Sequence, residues 1–573
     1  MVEPVQPSST LGFLSEIYEK PSAKQTHERI ADLIVKYREI IGEPTDFRLS
    51  HEDAILITYG DMVQADGQPH LKTLNSFLQS KISNTISTIH ILPFYPWSSD
   101  DGFSVIDYLA IDPPLGSWDD VAGIRQNFRL MVDAVINHIS QHSDWFQKFR
   151  QGEQPYTNYF KTVDPSTDLS DVFRPRTLPL LTPAETASGT KHVWTTFSAD
   201  QIDLNYESPD LLLEILEILL TYVANGAELI RLDAIGFMWK EPGTRSLHLP
   251  QTHAIIQLMR AVLDEVAPQV ALVTETNVPH EENISYFGNG YNEAQMVYNF
   301  SLPPLLLHAF HTGDATYLTD WAASLELPSN KTTFFNFCAS HDGIGVTPAR
   351  GILPDAEIQK IAERVEALGG RVSYKNNSDG SQSAYELNIN YLNGLGVPNV
   401  AESDQLKAKR FLASQAVMLA LQGVPGIYFH SLFGSENWQE GVAQTGHNRT
   451  INREKLQTEQ LDRELEDGLR KLVFSGYQEM LIARKQQRAF NPYGQQILHR
   501  LHPAVVSIER GFKGEQILCL HNVSADEISF NLPKSLAGLT FEVVLGSAAL
   551  QNGRIMMSSY ECCWLKVCSV ASD

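Results

Sequence analysis

Eight short runs of apolar, β-branched and aromatic residues, separated by longer amphipathic stretches, constrain this chain more than any other feature. They span 54–59 (AILITY), 88–94 (TIHILPF), 129–136 (RLMVDAVI), 228–234 (ELIRLDA), 271–276 (ALVTET), 296–300 (MVYNF), 332–337 (TTFFNF) and 424–429 (VPGIYF). Parallel strands covered by helices on both faces read as continuously apolar, and eight βα units are the number that closes a barrel. The pattern predicts an α/β protein built on a (β/α)8 TIM barrel.

The remaining segments are placed around that frame. Residues 1–51 read as an N-terminal helical extension, with helical spacing of Leu14, Ile17 and Tyr18 and of Ile30, Leu33, Ile34 and Tyr37. The barrel is expected from 52–138, 206–342 and 410–490. Residues 139–205, rich in Pro, Thr, Ser and Asp with little helical period, form a first insertion, and 343–409, with the polar stretch KNNSDGSQS at 375–383, a second. Both leave the same rim. From 491 to 573 short alternating segments (AVVSIER, EQILCLHN, EISFNLP, FEVVLG) predict a small antiparallel β domain. Within the barrel, Leu212, Ile215, Ile218 and Leu219 read as a core-facing helix stripe.

Charge narrows the partners. The 573 residues carry 44 Lys and Arg against 68 Asp and Glu, a net charge of −24, which disfavours nucleic acid and anionic membrane surfaces. No run of 18 apolar residues suggests a membrane span, and the first ten residues lack a secretory pattern. Five cysteines without a C-x-x-C pair fit a reducing compartment. The expectation is a cytoplasmic monomer or homodimer acting on small molecules, in which N-x-[ST] sequons such as that at Asn283 arise by chance.

In such barrels chemistry sits at the C-terminal ends of strands. The third run ends in Asp133-Ala-Val-Ile-Asn137-His138, the fourth in Arg231-Leu-Asp233-Ala234 and the fifth in Glu275-Thr276-Asn277, while the seventh leads to His341-Asp342-Gly343. One Asp or Asn closing a strand is commonly a cap or turn former. Several carboxylates with two histidines and an arginine, each on a separate strand, converge on one rim. Alternation puts Arg231 and Asp233 on the same face, where the guanidinium is expected to keep the carboxylate charged.

The motifs D-A-V-I-N-H, I-R-L-D-A, V-T-E-T and S-H-D resemble, in order and spacing, the four conserved regions of the alpha-amylase superfamily of retaining glycosidases and transglycosylases. Within it the chain is similar to the sucrose phosphorylase branch, through I-T-Y, H-I-L-P-F-Y-P, G-S-W-D-D, F-R-P-R, L-P-P-L-L-L-H-A and H-D-G-I-G-V. The resemblance covers about residues 52–510. It implies Asp233 as nucleophile, Glu275 as general acid/base and Asp342 as the carboxylate that stabilises the transition state. It further implies that His138 and His341 bind sugar hydroxyls, that Asp100, Phe103 and Arg449 hold the far side of a glucose ring, and that Arg231 supports the nucleophile. Retaining transfer needs two carboxyls about 5 to 5.5 Å apart, one ionised and one protonated.

A phosphorylase differs from a hydrolase in the attacking group, and phosphate calls for cations. The candidates are Arg174 and Arg176 in the first insertion, with Lys240 and Arg245 after the fourth strand. Asn277 stands where the sucrose enzymes carry a His. The segment K-E-P-G-T-R-S-L-H-L-P-Q-T-H, with E-T-N-V-P-H and A-S-H-D-G-I-G, is similar to the glucosylglycerate phosphorylases of the same branch. The resemblance implies reversible transfer of glucose from 2-O-α-D-glucosyl-D-glycerate to inorganic phosphate, giving glucose 1-phosphate and D-glycerate, with Arg176 or Arg245 on the anion. No cofactor is implied, phosphate is the co-substrate, and no spacing of metal ligands is present. A sucrose or glucosylglycerol phosphorylase is the nearer alternative; a hydrolase or a non-catalytic sugar-binding relative is the further one.

Overall fold

The computed structural model describes residues 10–45, 48–176, 178–376, 382–547, 549–551 and 554–568. The eight apolar runs form a closed, all-parallel barrel: β1 (Ile55–Thr58), β2 (Thr88–Ile91), β3 (Arg129–Ala134), β4 (Ala227–Leu232), β5 (Ala271–Thr274), β6 (Met296–Tyr298), β7 (Thr333–Phe337) and β8 (Val424–Tyr428). Sequential strands are neighbours, and β8 closes on β1 through Ile55 opposite Gly426. Most strands stop one to three residues before the apolar run does. The reason is chemical: the polar residues that follow must leave the ladder to face the rim. After Leu232 the chain turns sharply at Ala234, whose φ of 48° is left-handed.

Among the described residues of the extension are two helices, α1 (Thr10–Ile17) and α2 (Lys20–Ile41), and α2 packs along the barrel helices Pro209–Ala224 and Pro250–Val266. Arg29 meets Asp210 at 2.6 Å and Lys36 meets Glu217 at 2.5 Å across that junction. In Pro209–Ala224, Leu212, Ile215, Ile218 and Leu219 are all buried.

The first insertion holds more regular structure than its composition suggests. A helix, Asp144–Gln151, starts at Ser143, whose hydroxyl accepts from Phe146 N, and buries Phe146 and Phe149; two turns are too short to show a clear period. A hairpin, Leu181–Thr186 with Gly189–Trp194, follows. The second insertion has a helix, Asp355–Ala367, and the strands Arg371–Asn376 and Gln382–Asn388. Residues 377–381 of its polar stretch lie outside the described residues. Gln382–Asn388 also pairs with Ile344–Gly345, directly after Asp342, so this insertion is sewn to the rim.

The C-terminal region forms a five-stranded antiparallel sheet in the order Gln495–His499, Val505–Phe512, Glu515–Asn522, Cys562–Cys568, Thr540–Leu545. Its first and fourth spatial strands, QQILH and CCWLKVC, stand outside the four segments read from alternation. Arg510, in Val505–Phe512, ties this sheet to the barrel through Ala420 O at 3.0 Å, and Arg484 of the helix Gly468–Lys485 gathers the barrel floor, donating to the carbonyls of His51 (2.8 Å), Asp53 (3.1 Å), Leu419 (3.1 Å), Gly423 (3.4 Å) and Phe490 (3.4 Å). Asn283 is buried and donates to Tyr298 O at 2.7 Å, a place no glycan could reach. Among the described residues no helix is long and apolar enough to cross a membrane.

Candidate active site

The strand ends bring Asp133, Asp233, Glu275 and Asp342 around Arg231, whose side chain is 2% exposed. Its Nη1 contacts Asp133 and bonds Asp233 Oδ1 at 2.8 Å, and its Nη2 stands 3.7 Å from Glu275 Oε2. Behind them His90 bonds Asp133 at 2.7 Å. The left-handed turn at Ala234 aims its backbone N–H at Glu275 Oε2, 3.0 Å away. Asp233 and Glu275 line one cleft, shared with Asp342, Phe103, His138 and His341.

Burial pushes the Asp233 carboxyl up; Arg231 pulls against it, while Glu275, Asp133 and Asp342 push the same way as burial. Glu275 is raised too, by burial first. Arg231 thus works against the rise at Asp233, where several carboxylates crowd one guanidinium. Asp342 goes the other way. Burial would raise it, but Arg449, His341, Arg231 and Arg453 outweigh that and hold it below the carboxylate range. Arg449 Nη1 sits 2.6 Å from Asp342 Oδ1. His341, pushed down to about 3 mainly by burial, is neutral and lies flat on Phe103, ring centres 4.6 Å apart. His138 places Nε2 2.8 Å from Phe103 O.

Asp100 and Asp101 both adopt left-handed backbone (φ 55° and 50°). Asp100 meets Arg176 at 3.2 Å and Arg453 at 3.7 Å, and Asp101 meets Arg453 at 2.9 Å. Burial would raise Asp100, but Arg176, Arg449 and Arg453 hold it low.

Three of the four candidate cations are elsewhere; Arg174 is exposed and donates to Leu178 O. Lys240 is buried, bonded to Asn137 Oδ1 (2.9 Å) and Asp203 (3.2 Å) and to the carbonyls of Leu204 and Met238 (3.3 Å each); it ties the first insertion to the rim. Arg245, 54% exposed, pairs with Glu282 at 3.3 Å and lies over Phe173. Neither lines the cleft, because each finds a carboxylate on its own loop's neighbours. Arg176 does line it, with Asn277, whose Oδ1 is buried and has no partner among the described residues. A Cβ on Gly345 would lie 2.3 Å from the Asn277 amide, so only glycine admits it there.

Three contributors lack a mark in the sequence reading. Arg453 lies in the same H-N-R-T-I-N-R segment as Arg449 and was recoverable from it. Tyr385 and Glu386 come from the second insertion, where the pairing of Gln382–Asn388 with Ile344–Gly345 is a long-range event that no local pattern announces.

The alpha-amylase catalytic-domain family matches residues 82–342. A glucosylglycerate phosphorylase of Spirochaeta thermophila is 48% identical, over 98% of this chain and 99% of that one. A sucrose phosphorylase of Bifidobacterium adolescentis is 30% identical, over 76% and 86%. The crystal structure of sucrose 6F-phosphate phosphorylase from Thermoanaerobacter thermosaccharolyticum superposes with a TM-score of 0.73 at 23% identity, over 83% of this chain and 94% of that one, a likeness of fold.

Proposed function

The chain belongs to the glucosylglycerate phosphorylases within the alpha-amylase superfamily and is a glycoside phosphorylase; from that premise we propose that its cleft transfers glucose between 2-O-α-D-glucosyl-D-glycerate and inorganic phosphate. The observation that carries the reading is a pair of carboxyls, Asp233 and Glu275, in one cleft and in unequal contact with Arg231. Of the proton they share, the 2.8 Å guanidinium bond favours leaving Asp233 ionised and Glu275 protonated.

In the first displacement an Asp233 oxygen bonds to the anomeric carbon while the glycosidic C–O bond breaks, and the Glu275 proton passes to the departing glycerate oxygen. The sugar is then held as an ester of Asp233. In the second, a phosphate oxygen bonds to the same carbon, the ester breaks, and the phosphate proton returns to Glu275. Two inversions leave the α configuration intact. Asp342, ionised beside Arg449, stabilises the positive charge that develops on the sugar.

Phosphate and glycerate are anions, and with Arg174, Lys240 and Arg245 engaged elsewhere, Arg176 is the cation assigned to them. Its side chain is 32% exposed, and among the described residues its one carboxylate contact is Asp100 at 3.2 Å. No resident cofactor takes part in this scheme, and we place the enzyme in the cytoplasm. The test is phosphorolysis of glucosylglycerate against sucrose and glucosylglycerol, with wild type and Arg176→Ala. Glucose 1-phosphate should form fastest from glucosylglycerate, and the variant should raise the KM for phosphate. Equal or faster turnover of sucrose overturns the glycerate assignment.

A further inference from the structure

Arg449 has two carboxylate partners, and Asp342 is only one of them. Its Nη2 bonds Glu386 Oε1 at 2.7 Å and its Nε reaches Glu386 Oε2 at 3.3 Å, a two-point grip on the edge opposite Asp342. Glu386 is 6% exposed and lines the same cleft as Asp233, Glu275 and Arg176. Its place is built rather than incidental. Glu386 pairs in register with Gly345, three residues past Asp342, and a Cβ on Gly343 would lie 2.5 Å from Glu386 Cγ, so the side chain crosses the loop only because glycine is there.

This is an unexpected residue for a cleft that must admit anions, since a carboxylate in the wall repels them. Buried carboxylates persist when a cation satisfies them, and here that cation is the arginine that faces Asp342. We propose that Glu386 is a positioning residue that occupies the second face of Arg449, keeping the guanidinium on Asp342 and leaving the anionic co-substrate to Arg176. The inference rests on the phosphorylase reading of this cleft. It divides two arginines by duty: Arg449 keeps a carboxylate ionised against the sugar, and Arg176 exchanges its contact with Asp100 for a substrate anion.

The division has a signature in kinetics. Glu386→Gln keeps the shape and one acceptor oxygen but removes a negative charge. The cleft becomes more attractive to anions, so the KM for phosphate should fall by about fivefold. The partly freed Arg449 serves Asp342 less well, so kcat should fall by about tenfold. A lesion that merely loosens the second insertion raises KM or leaves it alone. A KM for phosphate that is unchanged or higher in a folded Glu386→Gln protein overturns the proposal while the reading of the cleft stands; wild type that fails to phosphorolyse any glucoside overturns that reading itself. If the variant does not fold, a crystal structure of wild type soaked with phosphate decides. The Arg449–Glu386 contact should persist with phosphate on Arg176, and displacement of Glu386 from Arg449 by phosphate overturns the inference.

Discussion

Buried and half-buried arginines stand at both ends of the barrel, in opposite company. At the rim, Arg231 and Arg449 face carboxylates: Asp133, Asp233 and Glu275 for one, Asp342 and Glu386 for the other. At the floor, Arg484 collects five backbone carbonyls, and Arg510 three, those of Gln495, Ala420 and Asn491 at 2.8 to 3.2 Å. Carbonyls are dipoles that the fold has to satisfy, so the floor arginines convert orphan acceptors into joints, within the barrel floor at Arg484 and between barrel and C-terminal sheet at Arg510. Carboxylates are charges with protonation states to set, so the rim arginines tune acids. Burial alone does not mark a functional cation; the partner's chemistry does.

The sharpest way to break this contrast is one substitution at each end. Asp233→Asn should lower phosphorolysis by about 10⁴-fold or more, because no ester can form, with the thermal midpoint nearly unmoved, since a crowded, raised carboxyl contributes little to stability. Arg484→Met should do the reverse. It strands five acceptors and should cost about 3 kcal/mol in denaturant unfolding, while the kcat of the folded fraction stays within about twofold. A large kcat loss at Arg484, read in a protein shown to be folded, would erase the distinction.

Lys240 tests the contrast where the two kinds of site meet. It is within the rim yet has the company of a floor cation, carbonyls and a buried amide, with Asp203 added. Lys240→Met should cost about 2 to 3 kcal/mol by leaving Asp203 uncompensated and leave the KM for phosphate within about twofold, measured beside Arg176→Lys, which should raise it.

The same contrast explains what the sequence discloses. Barrel strands announce themselves because burial on both faces makes them continuously apolar, and Asp133, Arg231, Asp233, Glu275 and Asp342 are legible because each ends such a run. Lys240 and Arg245 were legible as cations but not as ligands: a pattern gives charge and place in the chain, whereas pairing with Asp203 or Glu282 depends on segments far away. Glu386 is invisible for a related reason. Its strand is half-polar and exposed in part, and only pairing with Ile344–Gly345 carries it to the rim.

The smallest effect is a matter of protons, and it separates the C-terminal sheet from the rim. His521 is buried, its Nδ1 3.2 Å from Val506 O, and Trp564 Nε1 donates to its Nε2 at 3.2 Å. That pair of contacts fits the neutral ring with hydrogen on Nδ1, and a second proton would set an N–H against the indole N–H. Burial accordingly pushes His521 down to about 4. The unfolded chain, titrating near 6.5, binds more protons than the folded one between those two values, so stability is lost as pH falls below about 6.5 and levels off only near 4. At pH 5.5 His521 alone should account for about 1 kcal/mol of that loss. His521→Gln, which offers one donor and one acceptor, should flatten the acid slope of urea unfolding by that amount without touching the pH profile of kcat, which belongs to Glu275 and Asp233. An acid slope identical to wild type would mean that the C-terminal sheet unfolds before the histidine is charged, and the joint at Arg510 would then be the weaker one.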